Sequence, residues 1–89
     1  MQQATVTIVN RLGLHARAAS RLVNLARGFQ SDVTLVYGTT RADAKNIMSV
    51  MLLAAPLGST LELSVSGADE TRALAAIEAL FADRFGEAE

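Results

Sequence analysis

The only histidine of the chain, His15, lies two positions before Arg17 at the predicted start of a helix. A neutral imidazole has a lone pair that can take up and release a phosphoryl group, and histidine titrates near enough to neutral pH to supply that form. The free backbone N–H groups of a helix start attract negative charge, and a guanidinium does the same. These residues predict phosphoryl transfer through His15, with the Ala16 N–H and the Arg17 side chain as stabilising groups.

Other chemistry does not assemble around this histidine. No carboxylate neighbours His15 in the sequence, and Ser20 has no adjacent acid to complete a catalytic triad. The scattered glycines form neither a phosphate-binding loop nor a dinucleotide fingerprint. A lone histidine near a helix start is nevertheless often structural, so the residues alone also allow a ligand-binding module in which His15 is incidental.

Composition limits the class of protein. A chain of 89 residues predicts a single domain over residues 1–89. The lack of cysteine excludes disulfides and thiolate zinc sites, and one histidine excludes a multi-histidine metal site, so we expect no cofactor. No targeting segment and no apolar run of about 18 residues is present, which favours a cytoplasmic protein without membrane insertion.

Charge is distributed unevenly along the chain. Residues 1–31 contain no acid, whereas residues 69–89 carry six acids against two arginines. A basic first third could steer an acidic or phosphorylated partner toward the histidine, although for any one arginine a solvated surface position is the better interpretation. Few lysines and no interleaved aromatic residues argue against nucleic acid as the partner. The basic residues are Arg11, Arg17, Arg21 and Arg27.

Hydrophobic periodicity predicts the order βαββαβα. Four short strands with intervening helices favour an α+β open-faced β-sandwich, whose four-stranded, mainly antiparallel sheet carries three helices on one face. We expect Asp69 to be an N-cap and residues 86–89 to be prone to fraying. The predicted strands cover residues 4–8, 33–37, 41–43 and 60–66, and the predicted helices cover residues 16–27, about 47–54 and from 69 onward.

The segment from Asn10 to Ser20, Asn-Arg-Leu-Gly-Leu-His-Ala-Arg-Ala-Ala-Ser, resembles the active-site segment of HPr. HPr proteins are the histidine-containing phosphocarriers of the bacterial phosphotransferase system. The resemblance extends over essentially the whole chain and matches the predicted element order, so we expect one HPr-like domain over residues 1–89. Its further matching positions are Gly28-Phe29, Ala44-Lys45, Gly58-Ser59-Thr60 and Gly67-Ala68-Asp69.

The resemblance implies a two-step relay. Phosphoenolpyruvate phosphorylates enzyme I, which passes the group to Nδ1 of the histidine, here His15. The phosphohistidine then donates it to an enzyme IIA in sugar uptake. In this interpretation the protein is a monomeric, phosphorylated relay component rather than an enzyme that turns over independently, and Arg17 stabilises charge.

The resemblance also implies a partner-binding surface around the histidine. For Ile47 and Met51, a place in the core is an equally good interpretation. Methionine suits either role, because its flexible thioether adapts to several shapes. The predicted partner-binding residues are Ser20, Arg21, Asn24, Arg27, Ile47, Met48 and Met51.

Two positions depart from the usual pattern of the family. Ala18 replaces a common proline, which should not harm a helix, since alanine is the best helix former. Asn46 stands where many members have a serine that a regulatory kinase phosphorylates. Asparagine can still cap a helix but has no hydroxyl, so we predict that regulation at Asn46 is absent.

These departures, with the alanine-rich segment 52–57, resemble carriers outside the main sugar branch, including the nitrogen-related one. One alternative is therefore a carrier of the nitrogen-related branch, with a mainly regulatory output. Another is a non-catalytic coregulator of the same fold, but that branch lacks the histidine, and the presence of His15 argues against it.

Overall fold

The computed structural model describes residues 1–89 and has the element order that the sequence predicts. The strands β1 (Gln2–Thr7), β2 (Asp32–Tyr37), β3 (Thr40–Asp43) and β4 (Thr60–Ser66) form one sheet in the order β1-β4-β2-β3. The helices are α1 (Ala16–Arg27), α2 (Ile47–Met51) and α3 (Glu70–Ala82). The α+β open-faced architecture is confirmed, and every strand pair is antiparallel. None of the helices has the length and apolar character that a membrane span requires.

Alternation along β4 shows how the sheet acquires two different faces. Leu61, Leu63 and Val65 are buried, whereas the intervening Glu62 is exposed. In the antiparallel register, Leu63 lies opposite Leu35 of β2 on the same buried face. Each such leucine stabilises the fold by about 1.5–3 kcal/mol relative to an exposed side chain. The helices cover this face, and the polar alternate positions of the other face remain open to solvent.

Helix α1 has the predicted bounds and buries one face in the hydrophobic core. Its buried positions recur at three- and four-residue spacing, which is the period of an amphipathic helix. The face begins with Ala18, which is fully buried. A helix fixed in this way gives His15, immediately before it, a rigid support. The buried residues are Ala18, Ala19, Leu22, Val23 and Ala26.

Gly13 makes the tight turn that leads into α1. Its φ of +70° lies in the left-handed region, and a Cβ there would lie only 2.6 Å from the carbonyl oxygen of Ala55. That same oxygen accepts a hydrogen bond of 3.0 Å from the Leu14 N–H. A side chain at Gly13 would therefore disrupt the contact that positions the start of α1.

Helix α2 is shorter than predicted, because it ends at Met51 rather than near residue 54. Ala54 adopts a left-handed φ of +50°, which no helix continues through. The chain turns here because Leu53 and Ala55 enter the core and Ala55 meets Leu14. Apolar periodicity alone does not reveal such a turn.

The C-terminal segment, residues 84–89, also departs from the prediction of a fraying end. A short 3₁₀ turn over Arg84–Gly86 places Phe85 in the core, where its ring packs edge-on against Phe81 with centroids 4.8 Å apart. Beyond it, the Glu89 carbonyl accepts a 2.6 Å hydrogen bond from the Arg11 N–H. The segment therefore returns to the region just before α1.

Asp69 occupies the predicted N-cap position of α3, but its carboxylate does not cap that helix. It accepts hydrogen bonds from the Ser31 hydroxyl (2.6 Å), the Ser31 N–H (3.0 Å) and the Gln30 N–H (2.9 Å). These bonds, led by the one from the Ser31 side chain, lower the pKa of Asp69 from 3.8 to about 2. Asp69 therefore ties the start of α3 to the segment that follows α1.

Candidate functional site

His15 is the N-cap residue of α1, with an extended backbone (φ −77°, ψ 177°). Its Nδ1 accepts a long hydrogen bond of 3.3 Å from the Arg17 N–H, and 27% of its side chain is exposed. A bond of that length is weak, so little free energy is lost when the Nδ1 lone pair exchanges it for another partner. The ring is thus both oriented and accessible, as a phosphoryl acceptor must be.

The first turn of α1 supplies the groups that such a phosphoryl group needs. The Ala16 N–H has no intrahelical acceptor, because Ala16 is the first helical residue. Arg17 is exposed, and its guanidinium is free to move toward an anion beside His15. The structure therefore brings together the three residues for which the sequence predicted chemistry.

A shallow groove of about 400 Å³ lies beside this helix start. Arg11, Arg17 and Arg21 line it together with residues 86–89 of the C-terminal segment. Arg21, predicted as partner-binding, donates a hydrogen bond from Nη1 to the Phe85 carbonyl. Part of its role is therefore to hold the C-terminal segment.

Glu87 is a site residue that sequence reasoning missed. Its Oε2 contacts Nε2 of His15, and its side chain is only 11% exposed. Its Oε1 accepts a 2.9 Å hydrogen bond from Asn10 Nδ2. The bond from Asn10 is the main cause that lowers the pKa of Glu87, and the contact with His15 acts in the same direction.

No local signal could have found this contact. Glu87 follows His15 by 72 positions, so a search for acids near the histidine in the sequence does not reach it. The contrast between a basic first third and an acidic end was visible. Nothing in it distinguishes Glu87, which reaches His15, from Glu89, which pairs with Arg11 at 2.8 Å.

The other predicted partner-binding residues lie on α1 and α2, which pack against each other. Asn24 is exposed, Ser20 is half-buried, and Arg27 donates from Nε to the Lys45 carbonyl at 2.9 Å. Both methionines reach the surface, since Met48 is 62% and Met51 is 37% exposed.

Ile47, by contrast, is half-buried and packs against the core. Leu52, which the sequence did not single out, is 73% exposed just beyond the end of α2. It was overlooked because the predicted helix continued past it. An exposed apolar surface is therefore present on α2 and at the residue that follows it, with Leu52 rather than Ile47 as a prominent member.

Asn46 caps α2, as predicted. Its Oδ1 accepts a 3.0 Å hydrogen bond from the Ser49 N–H. The nearest hydroxyl on this helix belongs to Ser49, and its Oγ accepts a 3.0 Å hydrogen bond from the Asp43 N–H. Asn46 thus performs the structural task of a capping serine without offering an oxygen that can be phosphorylated.

Comparison with known proteins identifies the family of this chain. The sequence model described as "PTS HPr component phosphorylation site" matches residues 2–83 of the chain. The phosphocarrier protein HPr of Cupriavidus necator is 51% identical over 89 residues, which covers 100% of both chains. The chain belongs to the HPr family.

Two further similarities refine this assignment. The crystal structure of HPr-C-His from Thermoanaerobacter tengcongensis superposes with a TM-score of 0.95 at 36% identity, covering 100% of each chain. The phosphocarrier protein NPr of Shewanella violacea is 43% identical over 83 residues, covering 93% of this chain and 91% of that protein. The chain is therefore an HPr-type phosphocarrier of the phosphotransferase system.

Proposed function

We propose that His15 carries the phosphoryl group, accepting it on Nδ1 from phosphorylated enzyme I and passing it to an enzyme IIA. The observation that carries this proposal is the position of the ring, with Nδ1 turned toward the free N–H groups of α1. In the first step the Nδ1 lone pair forms a bond to phosphorus. The bond between phosphorus and the donor breaks, its electron pair leaves with the donor, and Nε2 keeps its proton.

The phosphoryl oxygens then lie at the start of α1. The Ala16 N–H is available to them, and the Arg17 N–H can exchange its weak bond with Nδ1 for one to a phosphoryl oxygen. The Arg17 guanidinium adds a charge-assisted hydrogen bond. The second transfer reverses these changes, so the protein is a relay that ends each cycle unchanged and needs no cofactor.

The same exposed surface serves donor and acceptor in this proposal. We call the residues Ser20, Arg21, Asn24, Arg27, Ile47, Met48 and Met51 the docking surface, to which the half-buried Ile47 contributes only the exposed part of its side chain. Its exposed methionines offer an adaptable apolar centre, and its arginines provide a charged rim. We propose that a cytoplasmic monomer, folded as one domain over residues 1–89, presents this surface to enzyme I and enzyme IIA in turn.

Sugar uptake is the proposed main output, and regulation through the nitrogen-related branch is the alternative. The similarity to an NPr protein supports the alternative, as do Ala18 and Asn46. The two are separated by measuring phosphoryl transfer from the labelled protein to a sugar-type and to a nitrogen-type enzyme IIA. The faster acceptor identifies the branch.

Incubation with enzyme I and radiolabelled phosphoenolpyruvate tests the role of His15. The wild type should acquire an acid-labile phosphoryl group, and His15→Ala should acquire none. His15→Asn is the matched control, because asparagine is a good N-cap and preserves the start of α1. Labelling of either variant at the wild-type rate would refute the assignment.

We propose that this protein is not regulated by phosphorylation of a serine at the start of α2. Asn46 has no hydroxyl, and the Ser49 Oγ accepts a hydrogen bond from the Asp43 N–H. Mass spectrometry after treatment with a regulatory HPr kinase should find no phosphate on residues 46–49. Stoichiometric phosphorylation of Ser49 would contradict it.

A further inference from the structure

Glu87 is held against His15 by a hydrogen bond to its side chain and by the anchored chain that precedes it. The fully buried Asn10 donates from Nδ2 both to Glu87 Oε1 at 2.9 Å and to the Gly13 carbonyl at 2.8 Å. The buried ring of Phe85 fixes the chain two residues before Glu87. The carboxylate therefore has little freedom to move away from the histidine.

Burial of Asn10 carries an energetic cost that its contribution to stability alone does not explain. Its Oδ1 is buried and has no hydrogen-bond partner, and leaving such a group unsatisfied costs about 1–3 kcal/mol. The Nδ2 group offsets that cost by linking the turn before His15 to the carboxylate behind it. The arrangement makes sense as a device that positions Glu87.

The contacts of the His15 ring define its tautomer. A neutral ring whose Nδ1 accepts from the Arg17 N–H has its single proton on Nε2. Nε2 faces the Glu87 carboxylate, and an ionised carboxylate is purely an acceptor. The proton therefore belongs on Nε2, which leaves the lone pair on Nδ1.

We propose that Glu87 is a positioning residue for phosphoryl transfer: it holds the Nε2–H of His15, keeps the Nδ1 lone pair available, and stabilises the positive ring that forms. This inference rests on the proposed role of His15. When Nδ1 bonds to phosphorus and the donor leaves with its electron pair, the ring retains the Nε2 proton and becomes positively charged. A carboxylate in contact with Nε2 stabilises that charge, as the aspartate of a serine-protease triad does.

The same negative charge also repels the incoming phosphoryl group, and geometry decides which effect dominates. Glu87 contacts Nε2 directly, whereas the phosphoryl group binds the opposite ring nitrogen, beside Arg17 and the N–H groups of α1. Because Coulomb energies fall with distance, the attraction to the ring is the larger of the two. Glu87 therefore favours transfer.

Glu87→Gln is the decisive variant, and Glu89→Gln is its matched control. Both remove one negative charge from the same segment, but Glu89 pairs with the exposed Arg11 rather than with His15. At saturating protein, Glu87→Gln should slow phosphorylation by enzyme I about 10–100-fold, the range seen when a metal-ligating histidine loses the carboxylate that orients its ring. KM should change little, because Glu87 lies behind the ring, and Glu89→Gln should behave like the wild type.

Nitrogen-15 NMR of the His15 ring gives a second readout that does not depend on transfer. The unphosphorylated wild type should show the proton on Nε2, and Glu87→Gln should show a mixture of tautomers. Circular dichroism establishes that each variant is folded.

A proton on Nδ1 in the wild type would overturn the inference, as would equal or faster phosphorylation of Glu87→Gln. Equal slowing of both variants would also overturn it, because it would indicate a general charge effect. Failure of the wild type to label at His15 would instead refute the proposed function.

Discussion

Helices α1 and α2 begin with the same backbone device but with different chemical outcomes. His15 and Asn46 are both N-caps in an extended conformation, and each accepts a hydrogen bond from an N–H in the first turn. The bond to His15 Nδ1 is 3.3 Å long, and the bond to Asn46 Oδ1 is 3.0 Å long. The capping hydrogen bond of α2 is therefore the stronger of the two. The weaker bond to His15 Nδ1 is easier to exchange for another partner.

What distinguishes the two sites is what surrounds the capping side chain. Helix α1 has 12 residues and α2 has 5, so only α1 has the length to present a developed positive terminus. His15 is backed by Glu87 and the C-terminal segment, whereas Asn46 is exposed. The comparison shows that capping alone does not set His15 apart; the longer helix and the neighbouring carboxylate do, and we propose that these two features give His15 its reactivity.

Removal of the Phe85 ring, which anchors the C-terminal segment beside His15, should give the largest change in stability. Phe85→Ala deletes a fully buried ring and its edge-on contact with Phe81, and such truncations cost about 3–5 kcal/mol. Urea unfolding measures the free-energy difference. Met48→Ala, at an exposed position of α2, is the matched truncation and should change stability by less than about 0.5 kcal/mol.

Phe85→Ala should also release Glu87 from His15, so the His15 ring should lose its tautomer preference while Asn46 still caps α2. A loss of stability below about 1 kcal/mol would show that the C-terminal segment is only loosely attached. In that case helix length, and not the C-terminal segment beside His15, would be the main difference between the starts of α1 and α2.

Local pattern predicted most of the fold, because most elements are defined by alternation or by helical periodicity. The bounds of α1 and β4 follow from their own residues. Helix α2 was predicted too long because its end is set by a tertiary contact, the hydrogen bond from Leu14 to Ala55. Such a contact has no counterpart in the periodicity of residues 47–54.

The candidate site also has residues that local sequence reveals and residues that only the tertiary fold brings together. His15, Ala16 and Arg17 are adjacent in the sequence, so one motif revealed them together. Glu87 and its partner Asn10 are brought together by the complete fold, and the left-handed turn at Phe85 that directs the chain back has no clear sequence signal in a non-glycine residue. Sequence therefore reveals the proposed nucleophile but not the carboxylate that contacts its ring.

The start of α3 offers a third case, in which an acid at the cap position bonds elsewhere. Because the pKa of Asp69 is lowered on folding, its carboxylate stabilises the protein above its unfolded pKa of 3.8, and this contribution is lost as the pH falls toward about 2. Asp69→Asn should therefore lower the melting temperature at neutral pH, and the difference from the wild type should shrink through that window.

Asp83→Asn is the control, because Asp83 is an exposed acid at the other end of α3 and makes no capping bond. Thermal unfolding at a series of pH values measures both variants. A difference between Asp69→Asn and the wild type that stays constant down to about pH 2 would show that the bonds to Ser31 and Gln30 do not depend on the ionised carboxylate.

The smallest effect is expected at the cap of α2. Asn46→Ala removes the acceptor of the Ser49 N–H and should cost about 1 kcal/mol of stability, whereas Asn46→Asp keeps an acceptor and should cost less. Urea unfolding resolves the two. Because Asn46 contributes only structure, enzyme I should phosphorylate both variants on His15 with unchanged kcat. A fall in kcat for Asn46→Ala, with Asn46→Asp unaffected, would mean that the start of α2 also orders the reactive site, and the two caps would then be coupled rather than independent.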